Sequence, residues 1–585
     1  MAVLLKLAAW VIVERSSQPM TFPAATHTEL LLTDPFLQLP TPTTVNVVWF
    51  TEFEGRNHRV NYGDRLERSV KARSQPLTRL REDSKSHIPE PPAQPTMRTV
   101  WRHEAIVTGL TPGENLPYQI QSQQADDTEI RSAVYRLAPQ PVPATPLKIL
   151  LTSDHQLMPR TAANLEKVAQ TVDRIDGIFL AGDLVNIPDR ASEWFDDQRG
   201  NSFFACLQGR ASYELVGNGG QKTTYKGAPL LQNAPLFTAI GNHEMMGRFA
   251  MDRGLNEQFN DPIPQAVAAQ RYDYKAKTVN PSGDPEIKAA WIKSQSFNSD
   301  TYEQLLTLPQ SKSGGSKYYA TTFGDVRLVV LDVTNIWRSF TLDPEQTSRY
   351  REPDWALDDP EKWGYGQHIF EPITPGSDQY AWLEQELFSD AFQQARYKVV
   401  MFHHPPHTLG DNIVPAYTNP RGITTLDENG KAIGVRYEYP LEDDYIHRYL
   451  EPLFNKAGVN LVYYGHSHLW NRFQNEQGVN FLESSNVGNT YGAYWKDRVR
   501  PVPVGYSETY RATGDPNGLE PIMPTIARQL DQHNAPLPYL ASNEITAFSI
   551  LDTETGLVSS YWFDTREPDS EVVLFDQFAI APTGE

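Results

Sequence analysis

The sequence predicts an α/β domain of buried strands alternating with helices, preceded by a smaller all-β sandwich. Three observations predict it. From about residue 28 to 137, short stretches rich in β-branched and aromatic residues alternate with turn signals. A proline-rich segment, 138–146 (APQPVPATP), comes next. Beyond it, short continuous apolar runs alternate with segments of helical periodicity. A chain of 585 residues also exceeds what one core usually serves, so at least two domains are expected.

In order along the chain, residues 1–13 (MAVLLKLAAWVIV) are apolar with one lysine and too short to span a bilayer. Glu14 and Arg15 follow at once, with no clear small-residue cleavage site. A cleaved signal, a mis-chosen start codon and an ordinary first strand all fit, and 1–27 is set apart as a leader. Within 28–138, residues 44–50 (TVNVVWF) read as a strand, with shorter candidates at 60–63 and 105–107. Leu110-Thr-Pro-Gly113 is a turn leading into a strand at 118–121. Residues 139–146 then serve as a stiff linker.

The second domain, 147–570, opens on a buried strand at 147–152 (LKILLT). A helix follows over 161–175, with Leu165, Val168, Val172 and Ile175 on one face. Further strands are expected at 177–180, 235–240, 326–333, 398–402 and 459–464, with helices at 378–392 and 444–457, the latter closed by Gly458. Residues 545–551 and 557–563 form a closing hairpin, and 571–585 a C-terminal tail. Long stretches at 189–232, 246–318, 335–375, 408–443 and 486–543 read as irregular, a length that points to function or disorder.

Composition sets limits on function. Hydrophobic residues at 39% and charged residues at 21% fit a folded globular chain. A net charge of −20 opposes general binding to nucleic acid or to an anionic membrane surface. It leaves room for a phosphorylated small molecule, because bound cations invert the sign of a site locally. One cysteine, Cys206, precludes an intrachain disulfide and a zinc–thiolate site.

The polar residues of interest share one placement, just past the C-terminal end of an apolar strand. Asp154 follows ILLTS, Asp183 follows IFLAG, Asn242 and His243 follow FTAIG, His403 follows VVMF, and His466 and His468 follow VYYG. Open α/β sheets bind ligands at that rim. Carboxylate, amide and imidazole together suit Mn, Zn or Fe, and the donors outnumber what one ion takes, so two metal ions are expected. Singly, each residue has a structural explanation: an Asp before a turn, an Asn in a left-handed turn, a His at a strand terminus. Five strand ends delivering donors together do not.

These residues resemble the five ordered motifs of the calcineurin-like metallophosphoesterase superfamily: Asp154-x-Gln156, Gly182-Asp183, Gly241-Asn242-His243-Glu244, His403-x-Pro405 and Gly465-His466-x-His468. The resemblance covers about 148–470 and the closing hairpin, and it implies an αββα sandwich of two mixed sheets. The upstream sandwich is similar to the fibronectin-III-like domain of purple acid phosphatases, chiefly in domain order. The resemblance further implies that Asp154, Gln156 and His468 bind one metal, that Asn242, His403 and His466 bind the second, and that Asp183 bridges them. A metal-bridging hydroxide would be the nucleophile. His243 would contact the phosphate and protonate the leaving oxygen, with Glu244 orienting it through its other ring nitrogen.

Two departures from the family pattern matter. Many members carry His at the position of Gln156, so the first metal is expected to bind less tightly, and neighbouring His155 is an alternative donor. Purple acid phosphatases have a tyrosine three residues after the bridging aspartate, whereas this chain has Asn186. The purple charge-transfer band is therefore expected to be absent and a divalent pair favoured. His404 is expected behind the site, His407 in an exposed loop, and Arg190 on substrate phosphate or in a surface ion pair. Residues 491–495 (YGAYW) line a cleft or pack in the core, and Cys206 is a buried small hydrophobe or an idle thiol.

An acid-phosphatase-like phosphomonoesterase is the expected activity, with a phosphodiesterase or nucleotidase as the alternative and an inactive binding protein as the remote one. The acid-phosphatase-like layout leans towards an exported or periplasmic location, and no transmembrane span is expected.

Overall fold

The computed structural model describes residues 22–338, 341, 343–410, 418–440, 443–501 and 511–580. Most of the expected leader, residues 1–21, lies outside them. Two antiparallel sheets come first. One orders Phe36–Gln38, Thr44–Thr51, Trp101–Thr108 and Arg73–Pro76; the other orders Glu129–Arg131, Pro117–Gln123, Arg56–Tyr62 and Arg68–Lys71. Val45, Val47, Trp49, Val60, Ala105, Val107, Tyr118 and Ile120 fill the core between them.

The strand Thr44–Thr51 is apolar on both faces for a reason. Alternate residues Val48 and Phe50 point away from that core and pack on the next layer, where Phe50 meets Phe195 and Phe204 at centroid distances of 5.3 and 5.6 Å. A buried ion-pair network reinforces this junction. Arg81 and Arg79 reach Asp189 at 2.5 and 3.0 Å, and Arg190 reaches Asp83 at 3.0 Å and Glu193 at 2.8 Å. Arg190 is thus neither a surface residue nor free to meet substrate.

Inside the sandwich, His58 and His103 stack at 3.8 Å, and both are buried. Burial pushes both imidazoles below their ordinary 6.5, His103 to about 2, where the His58 and Arg102 charges add to the effect. The unfolded chain therefore takes up protons below about pH 6.5 that the folded chain refuses, so stability is intact above that pH and falls below it. A fully excluded proton costs up to about 1.4 kcal/mol per pH unit. His103→Gln keeps a partner for Thr51 and Ser74 and is expected to flatten the fall in melting temperature between pH 6.5 and 4.5. An unchanged slope would remove His103 as the cause.

Two mixed sheets follow. The six-stranded sheet orders Leu236–Thr238, Gly177–Leu180, Lys148–Thr152, Ile545–Asp552, Leu557–Asp564 and Val573–Ala579, its first three strands parallel. The seven-stranded sheet orders Tyr319–Phe323, Val326–Val330, Tyr397–Met401, Leu461–Tyr464, Asn480–Ser484, Trp470–Gln474 and Tyr539–Leu540. Its residues divide by parity. Leu328, Val330, Val399, Met401, Leu461 and Tyr463 face the six-stranded sheet, while Val329, Val400, Phe402, Val462 and Tyr464 pack on Leu383, Leu387, Phe392, Leu450 and Phe454 of the outer helices. Leu165 and Val168 of helix Thr161–Thr171 cover the six-stranded sheet. No helix among the described residues is long and apolar enough to cross a membrane.

Several expectations are corrected. The helix expected over 161–175 ends at Thr171, because Val172 turns extended. The strand expected over 326–333 ends at Val330. The helix expected over 378–392 is two, Asp378–Leu387 and Asp390–Gln393, since the Ser389 hydroxyl accepts from Phe392 N–H and starts the second. Over 444–457 a π-helical turn, Ile446–Leu450, leads into Glu451–Ala457; Pro452 has no N–H for the Arg448 carbonyl at the joint. Gly458 closes it in the left-handed conformation. Residues 246–318, expected to be irregular, carry the helices Gln265–Val279, Pro285–Ser294 and Asp300–Leu305. The expected tail from 571 contains the edge strand Val573–Ala579.

Candidate metal centre

Five strands end at one rim: Lys148–Thr152, Gly177–Leu180, Leu236–Thr238, Tyr397–Met401 and Leu461–Tyr464. The loops leaving them are sharp. Asp154, Gln156, Asp183, His466 and His468 all have positive φ, at 57, 35, 58, 81 and 55°. An L-residue there costs roughly 1–2 kcal/mol, and such strain clusters where a site fixes the backbone. Two glycines make the turns possible by close approach. A Cβ on Gly241 would stand 2.2 Å from Asp183 Oδ1, and one on Gly465 would stand 2.2 Å from Asp154 Oδ2.

The donors converge in two buried trios. Ligand atoms of Asp154, Asp183 and His468 lie within 4.8 Å of one another, and so do those of Asp183, His403 and His466. Asp183 belongs to both. Its Oδ2 is 3.2 Å from His403 Nε2 and 2.5 Å from the Gln156 amide nitrogen. His403 Nε2 is 3.2 Å from Asn242 Oδ1 and 3.1 Å from His466 Nδ1, while His468 Nε2 is 3.2 Å from Asp154 Oδ1. All seven residues expected as metal donors are thus brought together. His155 turns away, its Nε2 2.9 Å from Thr152 Oγ1.

The residues fit cations on the chemistry of this donor set. Apart from its contact with His468, Asp154 Oδ1 is buried and makes no hydrogen bond among the described residues. Burial raises the Asp183 carboxyl, yet His403 and His243 bring it well below the usual carboxylate range. Burial lowers His403, yet Asp183 and Asp154 raise it to about 10. A field that holds a proton so firmly on a buried imidazole is one that a metal cation would neutralise.

Backbone carbonyls orient the rings. His403 Nδ1 is 2.8 Å from Ala181 O, His468 Nδ1 is 2.8 Å from Asn489 O, and His243 Nδ1 is 2.7 Å from Asn186 O. With protons on Nδ1, the Nε2 atoms are left for metal or substrate. Burial lowers the His243 imidazole, and Asp183 works the other way.

Glu244 does not orient His243 through its ring. Its carboxylate instead accepts the backbone N–H groups of Asp183, Leu184 and Gly241 at 2.9, 2.8 and 2.7 Å. Those bonds fix the turns on which Asp183 and Asn242 sit. Burial and the Asp183 charge push its carboxyl up to about 8 against them.

Sequence reasoning missed Arg338, which lies in a stretch read as irregular. It is buried, donates to the carbonyls of Asn242, Met245 and Phe259 at 2.9, 3.0 and 2.8 Å, and lies 3.5 Å over the Phe259 ring. No spacing signal marks such a residue, because its partners are carbonyl groups. His404 is buried behind the centre, its ring 4.0 Å from that of His466. Tyr491, half exposed, stacks on His468 at 5.1 Å, between that ring and solvent. Cys206 is a buried core residue.

A family profile described as calcineurin-like phosphoesterase matches residues 147–469. A solved purple acid phosphatase isolated from yellow lupin (Lupinus luteus) seeds shares the fold, with a TM-score of 0.50 and 14% identity over 93% of this chain and 73% of that chain. The GAP50 anchor of the inner membrane complex of Plasmodium aligns at a TM-score of 0.31 and 10% identity, over 74% of this chain and 89% of that one. A search of the curated proteins finds no match.

Proposed function

The protein belongs to the calcineurin-like phosphoesterase family, and from that premise we propose that it hydrolyses phosphate monoesters at a pair of divalent cations. Metal-dependent hydrolysis of phosphoric esters comes with the family; the pair, the residue roles and the monoester preference are the proposal. Asp154, Gln156 and His468 would hold one cation and Asn242, His403 and His466 the other. The observation that carries the reading is that Asp183 is the shared member of two donor trios. Asn186 offers no phenolate, which favours divalent ions such as Mn, Zn or Fe(II) over a ferric site.

Bound there, the cations supply positive charge to phosphoryl oxygens and bring water activation near neutral pH. The chain's own residues do the rest. Asp183 accepts the His243 backbone N–H at 2.9 Å, which places that ring beside the centre. With Nδ1 on the Asn186 carbonyl, a protonated His243 gives its Nε2 proton to the leaving oxygen. Burial disfavours that proton, so the negative charge of the substrate phosphate is what retains it there. Tyr491, stacked on His468 and half exposed, is placed to meet a bound ester's organic group.

The N-terminal sandwich, 28–138, is proposed as a fibronectin-III-like module joined by 139–146 to the catalytic domain, 147–570. Its two packed antiparallel sheets support this.

Likeness of fold to a purple acid phosphatase supports the monoester over the diester reading. With metal-replete protein, kcat/KM for p-nitrophenyl phosphate is expected to exceed that for bis(p-nitrophenyl) phosphate by at least about tenfold, or ~1.4 kcal/mol. A preference for the bis-ester would overturn the monoester proposal in favour of a diesterase.

A further inference from the structure

Four residues past His403 lies a second group of donors that shares no residue with the first. His407, expected in an exposed loop, is only 3% exposed. Its Nδ1 is 3.0 Å from Asp515 Oδ2 and its Nε2 is 3.2 Å from Glu451 Oε1. His447 Nδ1 is 2.9 Å from the same glutamate oxygen. His447 and Glu451 stand at i and i+4 across the joint between the π-helical turn and the α-helix, so their side chains share a face.

We propose that His407 Nε2, His447 Nδ1 and Glu451 Oε1 bind a separate divalent cation of the zinc class, with water as the fourth ligand.

Four features carry this. The three atoms all lie within 4.8 Å of one another, and the two contacts at 2.9 and 3.2 Å approach the edge of a tetrahedron, roughly 3.3 Å for bonds of about 2.0–2.1 Å. Apart from these contacts with one another and with His447, neither His407 Nε2 nor Glu451 Oε1 makes a hydrogen bond among the described residues, although the histidine is buried. Asp515 already supplies what a metal-binding imidazole needs behind it. Its carboxylate holds His407 Nδ1–H and is itself fixed by the N–H groups of Thr408 and Leu519 at 3.1 and 3.0 Å. Finally, the His447 and Glu451 side chains are 24% and 12% exposed, which leaves an ion and its water a route in.

Two carboxylates and two imidazoles at this spacing form a well for positive charge. Burial lowers His407, yet Asp515 and Glu451 raise it to about 10, so without a metal a proton fills the well. Metal binding exchanges that proton for the ion. The consequence is mechanical: the ion would tie the loop that begins at His403 to the helix Glu451–Ala457 and, through Asp515, to the segment beyond 511.

The test counts metal. Full-length protein is stripped with chelator, reloaded with Zn²⁺, dialysed and measured by inductively coupled plasma mass spectrometry. His447→Ala and the isosteric Glu451→Gln, each checked for a native thermal transition, are expected to hold one equivalent fewer than wild type. In an Asp183→Asn background one equivalent should remain, and a Co²⁺ visible band with it; both should vanish when His447→Ala is added. An unchanged metal count in folded His447→Ala and Glu451→Gln would overturn the proposal and leave an ion-pair network only. Full metal retention in Asp183→Asn alone would fail the two-cation reading of the main centre, not this one.

Discussion

Asp183→Asn is expected to release the metal of the main centre and to lower kcat/KM by more than about 10³. The substitution keeps shape and removes charge. It also replaces one oxygen by an NH₂ group, which has no lone pair to offer a metal or an N–H donor. Oδ1 accepts the His243 backbone N–H, and Oδ2 faces His403 Nε2 and the Gln156 amide. Turned one way, the Asn NH₂ faces the His243 N–H; turned the other, it replaces the oxygen that faces His403 and Gln156, and in both cases the two donor trios lose the carboxylate they share. Metal analysis of the purified variant, with turnover of p-nitrophenyl phosphate, reads both effects. A full metal complement with wild-type turnover would remove Asp183 from the mechanism.

His243→Ala is expected to behave differently, keeping its metal and losing about 10²–10⁴ in kcat. The ring belongs to neither trio, and the backbone N–H that Asp183 accepts survives the substitution. What is lost is the proton donor at Nε2. The loss should therefore grow with the basicity of the leaving group, being larger for an alkyl phosphate than for p-nitrophenyl phosphate, whose phenolate leaves without help. Equal losses on the two esters would assign His243 to phosphate binding rather than proton transfer, and no loss on either would exclude it from both.

Much of the site was legible because it is written at strand ends. A short apolar run that stops at Gly-Asp, Gly-Asn-His or Gly-His-x-His says where the chain leaves the sheet and which donors leave with it. The strands Gly177–Leu180 and Leu461–Tyr464 lie where the runs placed them. The same runs marked the central strands as buried on both faces, since such strands show no polar alternation; which face each residue takes came only from the packing.

Other features were illegible for physical reasons. His407 looked like loop because nothing local announces its partners; Glu451 and Asp515 are 44 and 108 residues away in sequence, taking 451 − 407 and 515 − 407. The role of Glu244 was misread because its acceptors' partners are backbone N–H groups, which every residue has. Arg338 was missed for the matching reason on the donor side. The edge strand Val573–Ala579 carries Asp576 and Gln577, and its weak alternation hid a pairing that only the neighbouring strand Leu557–Asp564 supplies.

By itself, then, the sequence determined the candidate donors, their order and the sheet rim from which they project, because strand burial and residue chemistry are local properties. The tertiary structure alone decided which donors share an ion-sized space and what holds their rings. It brings Asp154 and His468, 314 residues apart by 468 − 154, to 3.2 Å, and it holds five of the site residues at positive φ. Sequence cannot announce such conformations, because L-residues adopt them only when the surrounding packing and hydrogen bonds outweigh the local cost, as the N–H bonds to Glu244 do at Asp183.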